Sequence, residues 1–297
     1  MSVKVQKSFV EQPGDQGDFG TLYLVATPIG NLEDMTYRAV RILREADIIA
    51  AEDTRQTRKL LSHFEITPGK LVSYHDHNRQ ASGPELIRFI IEGKDLALVS
   101  DAGLPAISDP GSDLVKLAIE AGISVVPVPG ANAALSALIV SGLSTEKFKF
   151  IGFLPREQRE RDDLLHLQSE EESTLLLYES PHRLIRTLES MLSVWGDRRV
   201  VLARELTKRF EEMARGRIQD CLDWLEEHPP MGEYCVVVEG ADPEQLKEKR
   251  NAWWQSMSIL EHVTHYEEEE GISRKEAMKK AANDRGVSKR DIYQSLI

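Results

Sequence analysis

The sequence LALVSDAGLPAISDPG, residues 96–111, places a buried strand directly before a long irregular loop. Residues 96–99 are apolar throughout, as in a parallel strand that helices cover on both faces. Two prolines and two glycines then prevent regular structure until a helix begins at Ser112. Ligands of open α/β sheets bind outside the carboxyl ends of the strands. We expect a binding loop here, because a rigid connector needs neither two carboxylates nor so long a turn.

Four further apolar segments alternate with helical patterns around this loop, and each ends in a polar loop. This order predicts a parallel sheet with right-handed crossovers, whose strand-end loops all face one side. The predicted strands are 21–26, 47–51, 71–74, 96–99 and 124–128, with helices at 36–46 and 55–63 among them.

A second α/β unit is predicted from Phe148 onwards, with strands at 150–154, 174–178, 199–203 and 234–238. An apolar helix over 133–140 joins the two units without a flexible linker, so we expect a ligand cleft between them. The predicted fold class is therefore α/β, with two α/β domains and a small C-terminal helical module. The predicted domains are a disordered extension (1–19), a first α/β domain (20–145), a second (146–240) and the helical module (241–297).

The C-terminal module divides into an acidic and a basic part. Residues 241–270 carry eight acids and three bases, whereas residues 272–297 carry seven bases and three acids. Ser273 and Ser288 each begin a capping box, so two short helices around a glycine turn are predicted, with Ile292, Tyr293 and Leu296 facing inward. This pattern resembles a helix-turn-helix. The alternative is a helical pair that packs on a partner subunit.

Composition and absent motifs restrict the function. The net charge of −12 repels a polyanion as a whole, although local basic patches still decide nucleic-acid contacts. No dinucleotide fingerprint, phosphate-binding P-loop or nucleophile elbow is present, which argues against the corresponding enzymes. No signal or membrane-length apolar run is present, so we expect a cytoplasmic protein. Both cysteines, Cys221 and Cys235, are expected in the core.

Histidine pairs offer the only hint of a metal in the sequence. His75 and His77 flank Asp76 at a strand end, but a third ligand is not readable. His262 and His265 are spaced for the solvated surface of a helix. No metal site is therefore predicted.

Five motifs together resemble the tetrapyrrole methylase superfamily, and within it the branch that methylates ribosomal RNA. They are TPIGNLED (27–34), AEDTR (51–55), the loop over 100–111, PVPGANA (127–133) and ARELTK (203–208). The resemblance implies two α/β domains of the tetrapyrrole methylase type, S-adenosylmethionine in the cleft and a homodimer. It also implies methyl transfer to the ribose 2′-oxygen of cytidine 1402 in the decoding centre of 16S rRNA, within the 30S subunit.

The resemblance also implies the cofactor contacts, which come from strand-end loops. The glycine- and aspartate-rich first and fourth loops of the porphyrin enzymes are replaced here by 27–34 and by Gly103-Leu104-Pro105, which argues against a porphyrin substrate. The implied S-adenosylmethionine contacts are Pro28, Ile29, Asp101, Gly103, Leu104, Pro105, Ile107, Ser108, Asn132, Ala133, Tyr178 and Leu206.

Residues for proton transfer and for RNA contact are less sharply defined. Candidate bases at the sheet edge are His75, Asp53, Glu52 and Glu179, each of which has a capping or loop-fixing role as its alternative. Candidate phosphate contacts are Arg55, Arg79, Arg274, Lys279, Lys280, Lys289 and Arg290. Two other functions stay open at this point: a small-molecule methyltransferase on the same scaffold, and a non-catalytic RNA-binding assembly factor.

Overall fold

A computed structural model describes residues 6, 19–251 and 253–296. The predicted disorder of residues 1–19 therefore falls, apart from Gln6 and Phe19, outside the described residues. The chain divides into a large unit (residues up to 166, and 173–239) and a smaller one (167–172 and 240 onwards).

The first sheet of the large unit confirms the predicted parallel arrangement. Its strands are β1 (Thr21–Val25), β2 (Ile48–Ala51), β3 (Lys70–Ser73), β4 (Leu96–Val99) and β5 (Ser124–Val128). Their order is β3-β2-β4-β1-β5, and every pair is parallel. The helices are α1 (Tyr37–Glu45), α2 (Thr54–His63), α3 (Arg79–Ile91), α4 (Gly111–Glu120) and α5 (Ala133–Ser141).

Strand β4 lies in the middle of this sheet and is buried on both faces. Leu96 and Leu98 belong to one hydrophobic core, and Ala97 and Val99 belong to the core on the opposite face. Alternate side chains of a strand point to opposite faces, so an all-apolar strand serves two helical layers at once. The loop after β4 is thereby fixed at the carboxyl edge of the sheet.

The second sheet of the large unit mixes strand directions. Its strands are β6 (Phe148–Phe153), β7 (Thr174–Glu179), β8 (Arg199–Arg204), β9 (Glu212–Arg217) and β10 (Tyr234–Val238). In the order β6-β7-β10-β8-β9, the β6–β7 pair is parallel and the others are antiparallel. Its helices are α6 (Gln158–Leu167), α7 (Pro181–Trp195) and α8 (Ile218–Glu227).

Both faces of the second sheet are covered, and α5 covers one of them. Ala137 and Leu138 of α5 pack on Val201, Cys235 and their neighbours, while α7 and α8 fill the opposite core around Cys221. The two cysteines are buried, as predicted. The two cores of the first sheet and the core around Cys221 each stay on one side of the proposed domain boundary at 145/146, whereas α5, which precedes that boundary, packs on the second sheet.

The smaller unit contains α9 (Pro243–Asn251), α10 (Ile259–Glu270), α11 (Arg274–Asp284) and α12 (Lys289–Gln294). Both predicted capping boxes are present, at Ser273 and Ser288. Ile292 is buried as predicted, but Tyr293 is 55% exposed, so its inward prediction is wrong. The next residue along a helix points about 100° away from its predecessor, and Ile292 already takes the core position.

The prediction that His262 lies on the solvated surface of a helix is also wrong, because this residue is fully buried. Its Nε2 lies 3.1 Å from Asp284 Oδ2, and Arg285 Nε donates to its Nδ1 at 3.1 Å. Nδ1 accepts that hydrogen bond, so Nε2 carries the proton and donates to Asp284. Burial and the Arg285 charge lower the pKa of His262, which keeps the ring neutral.

No helix in the described residues is both long and apolar enough to cross a membrane.

Candidate active site

Three strand-end loops of the first sheet are joined to one another by hydrogen bonds. Thr27, after β1, exchanges two backbone hydrogen bonds with Gly103, after β4 (2.9 and 3.0 Å). The Asp53 backbone N–H, after β2, donates to Asp101 Oδ1 at 2.9 Å. The Asp101 backbone N–H in turn lies 3.4 Å from Glu52 Oε2. The loops therefore form one preorganised edge, as expected from the parallel order of the strands.

The loop over 100–111 is strained and partly buried. Ala106 (φ 70°) and Ser108 (φ 62°) have left-handed backbone, which costs on the order of 1–3 kcal/mol per residue. Asp109 holds the loop because its Oδ1 accepts from the backbone N–H groups of Ala106 (2.9 Å) and Gly111 (2.7 Å). Its Oδ2 is buried without a hydrogen-bond partner in the described residues, and burial raises the pKa of this carboxyl.

A cavity of about 510 Å³ lies against this loop and is closed on the other side by the second sheet. This volume is in the usual range for a small-molecule site. The implied cofactor contacts line it together, except for Pro28 and Pro105. Further lining residues that were not among the predicted contacts are Phe153, Ser180, Lys208, Glu233, Tyr234 and Cys235, of which Lys208 lies in the 203–208 motif.

Lys208 brings the one positive charge among the described residues that line the cavity. Its ammonium contacts Glu205 Oε1 at 2.9 Å and Glu233 Oε2 at 2.8 Å. Burial opposes the charge, but the hydrogen bonds to Glu233 and Glu205 outweigh it and raise the pKa of Lys208. Lys208 is therefore a fixed cation at neutral pH and does not accept a proton. The loop that carries it is strained at Glu205 (φ 49°) and Thr207 (φ 66°).

Two aromatic rings form the apolar part of the wall. Tyr178 contacts Phe150 and Phe153, with ring centroids 5.1 and 5.6 Å apart. Phe153 lines the cavity and is 57% exposed, so its face is available for stacking. Burial raises the pKa of Tyr178 to about 12, so its phenol is protonated at neutral pH.

Only two of the four candidate bases line the cavity. Glu52 and Glu179 line the cavity, and Asp53 and His75 do not. Burial raises the pKa of Glu52, which makes it a better proton acceptor than an exposed carboxylate. Asp53 caps α2 and is held by Arg55, whose side-chain hydrogen bond lowers the pKa of Asp53 to about 2.

Glu179 is almost fully buried and its oxygens are already engaged. Oε2 accepts from Thr187 Oγ1 at 2.7 Å, and Oε1 accepts from the Ser180 backbone N–H at 2.8 Å and faces Arg183 Nε at 3.3 Å. These contacts fit a loop-fixing role. His75 follows β3 at the edge of the sheet, and its ring centroid lies 5.9 Å from that of His77.

No group of three His, Cys, Asp or Glu side chains that suits a metal ion occurs in the described ranges.

The candidate phosphate contacts fall into two groups. Four are already paired with acids: Arg55 with Asp53, Arg79 with Asp113, Arg274 with Glu267 and Lys280 with Glu270. Lys279, Lys289 and Arg290 have no carboxylate within 4 Å in the described part of the small unit. These three charges are the least compensated of the set.

Comparison with known proteins defines the class to which this fold and cavity belong. The family model "Tetrapyrrole (Corrin/Porphyrin) Methylases" matches residues 21–222, which is more than half of the chain. Among solved structures, uroporphyrin-III C-methyltransferase from Thermus thermophilus covers 74% of this chain and 94% of its own (TM-score 0.51, 24% identity). Diphthine synthase covers 74% and 90% (TM-score 0.60, 15% identity). At these identities the structures show the fold alone.

Curated relatives of nearly full length give a finer assignment. Ribosomal RNA small subunit methyltransferase I of Halalkalibacterium halodurans is 55% identical over 98% of this chain and 98% of its own. The Bacillus subtilis protein of the same name is 50% identical over 94% and 95%. The chain therefore belongs to the tetrapyrrole methylases and, within them, to the ribosomal RNA small subunit methyltransferase I family. It is an S-adenosylmethionine-dependent methyltransferase.

Proposed function

We propose that this enzyme methylates the ribose 2′-oxygen of cytidine 1402 in 16S rRNA. The observation that carries the proposal is that residues of the strained loop over 100–111 and Lys208 line the same cavity. The names of the curated relatives support the small-subunit RNA as substrate.

The cavity has the chemistry that S-adenosylmethionine requires. Carboxylates at Glu52, Asp101 and Asp109 suit its ammonium group and ribose hydroxyls, and the Tyr178 face suits an apolar or ring portion. The unpartnered Asp109 Oδ2 is an acceptor that a ligand donor would satisfy. When bound, the cofactor supplies an electrophilic methyl group on a positively charged sulfur.

The residues of this chain contribute mainly by positioning. Loops that are fixed by mutual hydrogen bonds hold two reactants in line, an effect worth roughly 7–11 kcal/mol in favourable systems. The Lys208 ammonium orients the acceptor hydroxyl and stabilises negative charge on its oxygen as the proton leaves. Glu52, with its raised pKa, is the best placed of the candidate bases.

The basic face of α11 and α12 is proposed to bind RNA. Replacing Lys279, Lys289 and Arg290 by alanine is expected to make 30S binding less dependent on salt. Each phosphate contact contributes roughly 0.7–0.9 to the slope of the logarithm of the binding constant against the logarithm of the salt concentration. The affinity for S-adenosylmethionine should not change. Fluorescence titrations at several salt concentrations measure the slope.

The control is the double replacement of Arg274 and Lys280, whose charges Glu267 and Glu270 already compensate, and the two variants are compared per charge removed. A triple variant with a wild-type slope would instead favour the alternative in which these helices pack on a partner subunit.

We further propose a cytoplasmic homodimer that acts on the 30S subunit. Large apolar side chains on β6 and α5 support a protein interface, since Phe148 is 47% and Ile139 is 74% exposed.

The proposed function is tested with 30S subunits from cells that lack this enzyme. Incubation with labelled S-adenosylmethionine should place one methyl group on the 16S rRNA, and mass mapping should locate it at the decoding-centre cytidine. A methyl group at another nucleotide, or in the proteins, would contradict the proposal.

A further inference from the structure

A second cavity, of about 340 Å³, lies at the far end of the second sheet, and three arginines are among its lining residues. Arg199 begins β8, and Arg215 and Arg217 lie on β9, the edge strand. In the sheet register Arg199 pairs directly with Arg217. Like charges that face each other across two strands are destabilising unless an anion lies between them. The arrangement is the more unusual because the whole chain carries a net charge of −12.

Two of these guanidinium groups are held in place by backbone carbonyls. Arg215 Nη2 donates to Val140 O at 2.7 Å, and Arg217 Nη1 donates to Asp197 O at 2.5 Å. In the described residues neither group has a carboxylate within 4 Å. Neutral carbonyls fix the orientation of the two groups and leave their charge uncompensated. Their other N–H groups stay available to a ligand.

The nearby carboxylates are engaged elsewhere. Asp197 Oδ1 accepts from the Gln219 backbone N–H, and Asp220 Oδ2 accepts from the Arg217 backbone N–H, both at 3.0 Å. Both bonds serve the beginning of α8. Glu239 approaches Arg199 at 3.6 Å, a loose and exposed pair. These hydrogen bonds leave the carboxylates charged, but the lining of the cavity itself carries three arginines against one acid, Asp220.

We propose that Arg199, Arg215 and Arg217 form a phosphate-binding site for the RNA backbone of the substrate. Guanidinium groups are planar forks that match phosphate oxygens in bidentate geometry. This cavity shares no lining residue with the 510 Å³ cavity of the candidate active site. Arg199 is four residues before Ala203, which lines the other cavity, so the two sites are roughly 13 Å apart along β8. One RNA strand spans that distance. The proposal rests on the proposed function, because it assumes an RNA substrate.

The test is the double variant Arg215→Gln/Arg217→Gln. We expect KM for 30S subunits to rise about tenfold or more, with kcat and S-adenosylmethionine affinity unchanged. The salt slope, which is the slope of the logarithm of the binding constant against the logarithm of the salt concentration, should decrease in magnitude by roughly 0.7–0.9 for each phosphate that the variant no longer binds. The control is Arg41→Gln/Arg88→Gln, which removes the same charge from two exposed helical pairs with Glu45 and Glu92. Arg215→Lys/Arg217→Lys keeps the charge and should lie between wild type and the glutamine variant.

Direct binding separates this inference from the proposed function. Titration of a labelled 16S rRNA fragment reports the site even if no methyl group is transferred. Unfolding midpoints equal to wild type show that the variants are intact. A KM and a salt slope equal to those of the control variant would overturn the proposal. Binding of inorganic phosphate to wild type, with RNA affinity unaffected in the glutamine variant, would also overturn it by making this a small-anion site.

Discussion

Replacing Gly103 by valine is expected to weaken S-adenosylmethionine binding by about 100-fold or more, close to 3 kcal/mol. Gly103 has φ +79°, which a β-branched residue rarely adopts, and its backbone pairs with Thr27. An added Cβ lies 3.3 Å from Ile29 Cγ2 and 3.4 Å from Ala131 O. The two further methyl groups then crowd the cavity wall and displace the loop after β1. Isothermal titration calorimetry measures the loss.

Gly122→Val is the matched control for backbone strain. Gly122 has φ +76° in the turn between α4 and β5, and a Cβ there would meet nothing within 4 Å. The Gly122 variant should lose stability through backbone strain alone, without steric crowding, and should bind the cofactor normally. Equal cofactor affinities in the two variants would show that Gly103 is outside the binding wall.

Replacing Lys208 by methionine is expected to lower kcat for methyl transfer by about 10²–10³, the usual effect of losing one oriented group that stabilises developing charge. S-adenosylmethionine affinity should change by less than about threefold, under 1 kcal/mol. Methionine keeps the unbranched shape and most of the length of the side chain but leaves Glu205 and Glu233 without their shared cation. Steady-state kinetics on 30S subunits measure the change.

Two companion variants separate charge loss from distortion. Lys208→Arg restores the cation and should recover part of the rate. Lys208→Met/Glu233→Gln removes one of the two carboxylates that the first change leaves unpaired, so it should be more stable than Lys208→Met and stay slow. His75→Ala, which alters a residue outside the cavity, should have a much smaller effect. Wild-type turnover of Lys208→Met would remove this residue from the mechanism.

The parallel sheet was predictable because its central strands are continuous apolar runs that end in polar loops. Strand β9 was not, since Glu212, Arg215 and Arg217 give it no apolar alternation and it lies half exposed at an edge. The buried state of His262 depends on Asp284 and Arg285, which are more than 20 residues away along the chain. Local periodicity carries no information about such partners.

The residues of the candidate site also differ in whether the local sequence indicates their role. A binding loop over 100–111 was predictable, because a loop at the end of a buried strand combines carboxylates with bare backbone, whereas the individual contacts Asp101, Gly103 and Ser108 came from the family resemblance. Lys208 lies within a motif that carries the family resemblance, yet its role depends on Glu233, which is 25 residues further along the chain. Glu233 comes close to Lys208 only because β8 and β10 pair in the sheet.

Alkaline hydrolysis of the methylated 16S rRNA tests the central claim most directly. A methyl group on the ribose 2′-oxygen removes the nucleophile that cleaves the adjacent phosphodiester, whereas a methyl group on the base leaves it. The cytidine methylated by the wild-type enzyme should therefore resist alkali and leave a gap in the ladder at the decoding centre. Full cleavage at that nucleotide, with the added mass on the base, would contradict the assignment of the acceptor.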